Sequence, residues 1–150
     1  MSAATATKPT VKPSLTIKRR LNATPERVFS AWTEPEKIMR WFGPSGVQCT
    51  HAEFEPRVGG RYRIAATSPD GEKYQVEGVI REFVANKKLV YTWAWHSTPE
   101  RESLVTMEFK PDGDGTLLTL THEQFFDEEA RDRHQHGWSG SLDKLEKFLG

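Results

Sequence analysis

The sequence predicts an α+β fold: one strand, two short helices, a six-stranded antiparallel meander, and a long C-terminal helix around which the curved sheet wraps. Three observations predict it. Residues 15–20 alternate side chains in a period of two and are followed by two helix openings, each with a proline at its start. Residues 47–123 are strand and turn throughout, broken at short intervals by Gly, Pro and Asn. Residues 127–149 return to apolar spacings of three and four, the period of an amphipathic helix.

Each element has a local cause. Leu15, Ile17 and Arg19 alternate with Thr16, Lys18 and Arg20. That suits a strand at a sheet edge, where charges discourage pairing with other chains. In Thr24-Pro25-Glu26, Thr24 can cap free N–H groups, and Pro25 takes the first helical position, where its missing N–H costs nothing. Val28, Phe29 and Trp32 supply the apolar face of that helix. Thr33 and Glu36 have the spacing of a capping box and open a second helix carrying Ile38, Met39, Trp41 and Phe42, which Gly43-Pro44 ends. In the meander, Pro56 and Gly59-Gly60 separate two strands, with a hairpin bulge at the glycines. Pro69-Asp70-Gly71, Pro111-Asp112-Gly113 and Asn86-Lys87-Lys88 are turns. Asp127 is an N-cap for the last helix, Glu128 and Glu129 sit where the helix dipole favours acids, and Lys144 and Lys147 lie near the other end. At 1.5 Å per residue this helix is about 34 Å long, enough to cross a whole sheet.

Composition narrows the function. A chain of 150 residues suits one domain, which buries roughly 70% of the surface its unfolded form exposes. The 21 Lys and Arg balance 21 Asp and Glu, so the overall basic footprint of a general nucleic-acid binder is absent. Cys49 is the single cysteine and has no internal disulfide partner; it reads as a buried small hydrophobe in a reducing compartment. No apolar run approaches the roughly 18 residues of a membrane span, and the N-terminus shows no apolar h-region of the kind a secretory signal carries. A soluble, cytoplasmic, monomeric protein is expected. Residues 1–20 hold Lys8, Lys12, Lys18, Arg19 and Arg20 and no acid, a composition similar to transit peptides. Residues 1–13 read instead as a polar disordered leader, with one domain over 14–150.

Strand parity defines a candidate inner surface. Tyr74, Val76, Gly78 and Ile80 share one face; so do Leu89, Tyr91, Trp93 and Trp95, then Val105, Met107 and Phe109, then Leu118, Leu120 and His122. Opposite them the C-terminal helix offers Ala130, His134, Gly137 and Trp138. Small and polar residues facing rings leave room, and a cavity lined by rings and Met with a few polar tips is what a small-molecule site looks like. Met39, Trp41 and Tyr62 complete the candidate lining. The same stripe also serves as plain core, since each ring removes some 150 to 250 Å² from water.

Several motifs in this order carry a resemblance. They are Asn22-Ala23-Thr24-Pro25-Glu26-Arg27-Val28-Phe29 with Ala31-Trp32, Glu34-Pro35-Glu36, Trp41-Phe42-Gly43-Pro44, Pro56-Arg57-Val58-Gly59-Gly60-Arg61-Tyr62, Lys88-Leu89-Val90-Tyr91-Thr92-Trp93, and Gly137-Trp138 with Leu142 and Leu145. The chain resembles the START-like, or SRPBCC (birch-pollen-allergen-like), superfamily over residues 15–149, in the branch related to the C-terminal domain of the activator of the heat-shock-protein-90 ATPase. The resemblance implies a helix-grip fold whose cavity between sheet and final helix binds hydrophobic molecules such as lipids, sterols or polyketide-like aromatics.

Catalytic chemistry is sparse. His134 and His136 point about 200° apart on a helix and cannot chelate one ion, and His122-Glu123 lacks the second His of a zincin motif. No metal, cofactor or catalytic residue is expected. Arg57, Arg61 and Arg63 form a basic cluster near Arg81 that reads as a solvated outer face. His122 and His134 could meet at the cavity mouth and orient a ligand by hydrogen bonds. Three functions compete. The favoured one is binding of an aromatic or lipid-like small molecule, oriented by His122, His134 or the indole N–H groups of Trp93 and Trp95, with a role in stress response. The others are a co-chaperone contact with the heat-shock ATPase and a polyketide cyclase- or aromatase-like enzyme; the near absence of inward carboxylates weighs against the enzyme.

Overall fold

The structure is a computed structural model that describes residues 12–44 and 46–150. The leader expected over 1–13 lies outside the described residues up to position 11. In chain order the elements are β1 (Leu15–Leu21), α1 (Pro25–Thr33), α2 (Pro35–Trp41), β2 (Gln48–Phe54), β3 (Arg61–Thr67), β4 (Lys73–Val84), β5 (Lys88–Trp95), β6 (Ser103–Asp112), β7 (Gly115–Glu123) and α3 (Glu128–Leu149). This is the expected α+β helix-grip arrangement.

Seven strands pair antiparallel in the order β1-β7-β6-β5-β4-β3-β2. The meander β2 to β7 is therefore continuous, and β1 and β2 are the two edges, joined through α1 and α2. Thr24 caps α1 by accepting from the Arg27 N–H at 3.3 Å, and Asp127 caps α3 by accepting from the Ala130 N–H at 2.8 Å, as their positions demand. The capping box at Thr33 does not form. Thr33 closes α1 instead, its hydroxyl donating to the Phe29 carbonyl, and Glu34 is the residue before α2, its carboxylate tied to Ser30 and Lys37. A threonine hydroxyl in the last turn of a helix readily donates back to the carbonyl four residues earlier. The turn expected at Pro111-Asp112-Gly113 lies slightly later: Pro111 and Asp112 pair with Thr116 and Gly115, and the reversal falls at Gly113, with φ 62°.

The sheet bends where β4 meets β5. Glu77 pairs with Ala94 and Ile80 with Tyr91, with no pair made between them, and the register shifts by one residue between Ile80 and Glu82. There a Cβ added to Gly78 would lie 2.0 Å from the Thr92 carbonyl oxygen, so the two backbones approach as only glycine permits. The Thr92 carbonyl accepts from the Tyr62 hydroxyl, while the Thr92 hydroxyl accepts from the Val79 N–H. Side chains thus satisfy groups that the bend removes from the ladder.

The resulting concave face holds α3 through Ala130, Trp138, Ser141, Leu142, Leu145 and Leu149, all buried. Leu145 sits against the core that Leu21, Val28, Met107, Leu118 and Leu120 help to build. Ser141 accepts from the Gly43 N–H at 3.1 Å, and Lys144 donates to the Val47 carbonyl at 3.0 Å, fixing one flank of the helix to the loop before β2. Arg19 on β1 pairs with Asp143 at 2.6 Å on the other flank. Arg61 and Arg63 are exposed on the face opposite Tyr62 and Ile64.

Candidate functional site

Beside the N-terminal half of α3 the polar atoms of the interior converge. The last inward residues of β5 and β7 and the first inward residue of β6 meet there, because register pairs Trp93 with Ser103 and Val105 with His122. Trp93, Trp95, His122, His134 and Trp138 form one cluster. The imidazole centroids of His122 and His134 are 5.1 Å apart, Trp93 lies 5.3 Å from His122 and 5.1 Å from Trp138, and Trp95 is edge-on to Trp93 at 5.5 Å. Phe125 packs on His122 at 4.2 Å, and Phe42 reaches Trp93 at 6.1 Å.

The hydrogen bonds fix both imidazole tautomers. The Ala130 carbonyl can only accept, so His134 donates to it from Nδ1 at 2.6 Å and uses Nε2 to accept from the Trp95 indole at 2.8 Å. His122 accepts from the Trp138 indole on Nδ1 at 3.0 Å and donates from Nε2 to the Ser103 hydroxyl at 2.7 Å. That hydroxyl in turn donates to the Trp93 carbonyl at 3.3 Å. Burial and, next, the neighbouring His134 hold the His122 pKa well below its ordinary range. Burial also lowers the His134 pKa, against the pull of the Ala130 carbonyl and with help from Arg133. Both rings are therefore neutral at pH 7. Among the described residues, Trp93 Nε1 is the one buried side-chain nitrogen or oxygen without a hydrogen-bond partner.

The other expected lining residues divide. Trp41, Tyr62, Val76, Tyr91, Val105, Met107, Leu118 and Leu120 are buried in the deeper core. There the Trp41 indole donates to the Ala31 carbonyl at 2.9 Å and the Trp32 indole to the Tyr91 hydroxyl at 3.3 Å. A void among Trp32, Trp41, Phe54 and Tyr91 is too narrow for a water molecule. Met39 and Tyr74 are not inward, contrary to expectation; they are 40% and 39% exposed. On a helix of seven residues Met39 points about 100° away from Ile38, which takes the inward face. Tyr74 has the right parity but sits near the start of β4 at the rim, its ring edge-on to Trp95 and its hydroxyl donating to Glu72.

Ser103, Phe125 and Phe42 join the cluster without having been singled out as site residues. Ser103 was visible as the preceding member of the row Val105, Met107, Phe109. Phe125 was hidden because Gln124 takes a positive φ of 68°, which resets the alternation after β7. On α3, a Cβ built on Gly137 meets nothing within 4 Å. Elsewhere, a surface cleft of about 330 Å³ lies between α1, α2 and the end of α3, lined by Glu26, Arg27, Ser30, Lys37, Phe148 and Leu149.

A curved sheet closed on a long C-terminal helix, with polar tips gathered inside an aromatic cluster, defines a START/SRPBCC-type domain, the architecture of ligand-binding proteins. Within that class, the chain belongs to the family described as Activator of Hsp90 ATPase homolog 1-like protein, whose model matches residues 22–150. It is similar to a solved protein of Chromobacterium violaceum, with TM-score 0.84, 27% identity, and coverage of 91% of this chain and 96% of that one. It is also similar to the AHSA1 protein of Silicibacter pomeroyi, with TM-score 0.83, 27% identity and coverage of 91% and 97%. A Rhodobacter sphaeroides protein gives TM-score 0.79, 26% identity and coverage of 93% and 97%. No curated protein matches the chain.

Proposed function

We propose that the chain binds an apolar, aromatic or lipid-like small molecule between the curved sheet and α3, entering beside Gly137. The observation that carries this reading is the His122–His134 pair, two neutral rings 5.1 Å apart in a cluster of three tryptophans next to open space on the helix. Buried polar groups cost stability unless they are hydrogen-bonded, as both rings are here, and a few polar tips in an apolar site fix the orientation of a ligand. The rings touch one another, so a ligand enters by displacing Trp138 or the first turns of α3. Enzyme chemistry is not favoured, since both imidazoles are committed to hydrogen bonds and no carboxylate joins them.

The same reading takes residues 14–150 as one START-like domain behind a leader of residues 1–13, acting as a cytoplasmic monomer in stress response. Titration with flavonoids, sterols and fatty acids, followed by tryptophan fluorescence, tests it. Saturable quenching by at least one class is expected, and no response to any class overturns the reading. A second reading, contact with the Hsp90 ATPase, follows from the family's description. A pull-down with Hsp90 and an ATPase assay decide it, with neither binding nor stimulation expected if the ligand-binding reading holds alone.

A further inference from the structure

The donors and acceptors of the cluster do not balance. Both nitrogens of His122 and both of His134 are engaged, and the Ser103 hydroxyl proton goes to the Trp93 carbonyl. The Trp95 and Trp138 indoles are used on the two imidazoles. What remains is the Trp93 N–H, in a side chain 4% exposed and ringed by Phe42, Trp95, His122, His134 and Trp138. An indole nitrogen only donates, and a buried donor left unpaired costs about as much as a lost hydrogen bond. Among the described residues, no lysine or arginine hydrogen-bonds to any member of the cluster, and Arg133, the cation that acts on His134, is exposed and paired with Glu129 at 3.6 Å.

We infer that Trp93 Nε1 is the specificity-determining donor of the site, and that it selects an uncharged ring compound bearing a carbonyl oxygen over a hydrocarbon or a carboxylate. This rests on the proposed binding between sheet and α3. A ketone oxygen supplies the one acceptor the cluster lacks. A hydrocarbon of the same shape leaves the N–H unpaired, and a carboxylate brings a charge into a site without a counter-ion. A hydroxyl proton finds no free acceptor among the imidazoles while the Trp95 and Trp138 indoles hold them.

Three probes of one shape test this on the full chain: 2-acetylnaphthalene, 2-isopropylnaphthalene and 2-naphthoate, by calorimetry and by the indole N–H resonances in NMR. The ketone is expected to bind about 5- to 30-fold more tightly than the hydrocarbon, the worth of one buried hydrogen bond, with the carboxylate weakest. Only the ketone moves the Trp93 indole proton downfield. Replacing Trp93 by 3-benzothienylalanine, which keeps the ring shape and lacks the N–H, brings ketone and hydrocarbon to within about twofold of each other; Trp93→Phe is the genetically encoded check. Equal affinities for all three probes, or preference for the carboxylate, overturn the selectivity and leave the binding site standing. No binding of any probe overturns both.

Discussion

Acid should weaken this fold through His122, and the size of the effect follows from the structure. The ring is fully buried, donates to Ser103 and accepts from Trp138, and its pKa lies well below the 6.5 of a free imidazole. Below pH 6.5 the unfolded chain takes up a proton that the folded chain refuses. Stability is thus whole above about pH 6.5 and falls as the pH drops, until the folded-state pKa is reached. For a ring that stays neutral in the folded state the slope is about 1.4 kcal/mol per pH unit, or about 2 kcal/mol between pH 6.5 and 5. His134 acts in the same direction with a smaller share, being only part-buried and helped toward its charged form by the Ala130 carbonyl. Urea unfolding of the native chain and of His122→Asn at pH 8, 6.5 and 5 measures this. The variant starts about 1 to 3 kcal/mol less stable at pH 8, having lost its fitted partners, yet declines less steeply with acid. Equal slopes for the two proteins would refute the reasoning.

Two substitutions probe the bend and the entrance. Gly78→Ala places a methyl carbon 2.0 Å from the Thr92 oxygen, so the β4–β5 contact must open, at a cost of about 3 kcal/mol or more. A melting temperature equal to that of the native chain would contradict this. Gly137→Leu enters open space and replaces a poor helix former by a good one, so the melting temperature should rise by about 2 to 4 °C. The same leucine blocks the proposed entrance, so affinity for 2-acetylnaphthalene should fall about tenfold or more, one lost methylene-scale fit and its access. A destabilised variant with unchanged affinity speaks against both halves of that prediction.

Much of the fold is legible in single residues. Thr24 and Asp127 act as caps because their side chains precede free N–H groups in the way that local chemistry requires, and strand parity places Val76, Trp93, Met107 and Leu120 inside without any tertiary information. The meeting of His122 and His134 is legible for the same reason, one inward strand position and one inward helix position at the same end of the sheet. Periodicity fails where an element is short or ends. Met39 lies on two turns of helix with a single inward stripe, and Tyr74 lies at the rim of the sheet. The capping box at Thr33 fails because spacing cannot say which of two nearby helix ends a hydroxyl will serve. How much room the cluster leaves was out of reach altogether. Gly137 and His134 suggest a gap by their size, but whether Trp138 fills it depends on a rotamer set by His122, Phe42 and Trp93 together.

The most direct measurement is an amide and indole NMR titration of the full chain with 2-acetylnaphthalene. Binding inside the fold predicts that the indole N–H signals of Trp93, Trp95 and Trp138 and the amide of Gly137 shift together, with one saturation curve. Shifts confined to Arg27, Ser30, Lys37 and Phe148 would put the ligand in the surface cleft between α1, α2 and the end of α3, and would contradict recognition in the interior.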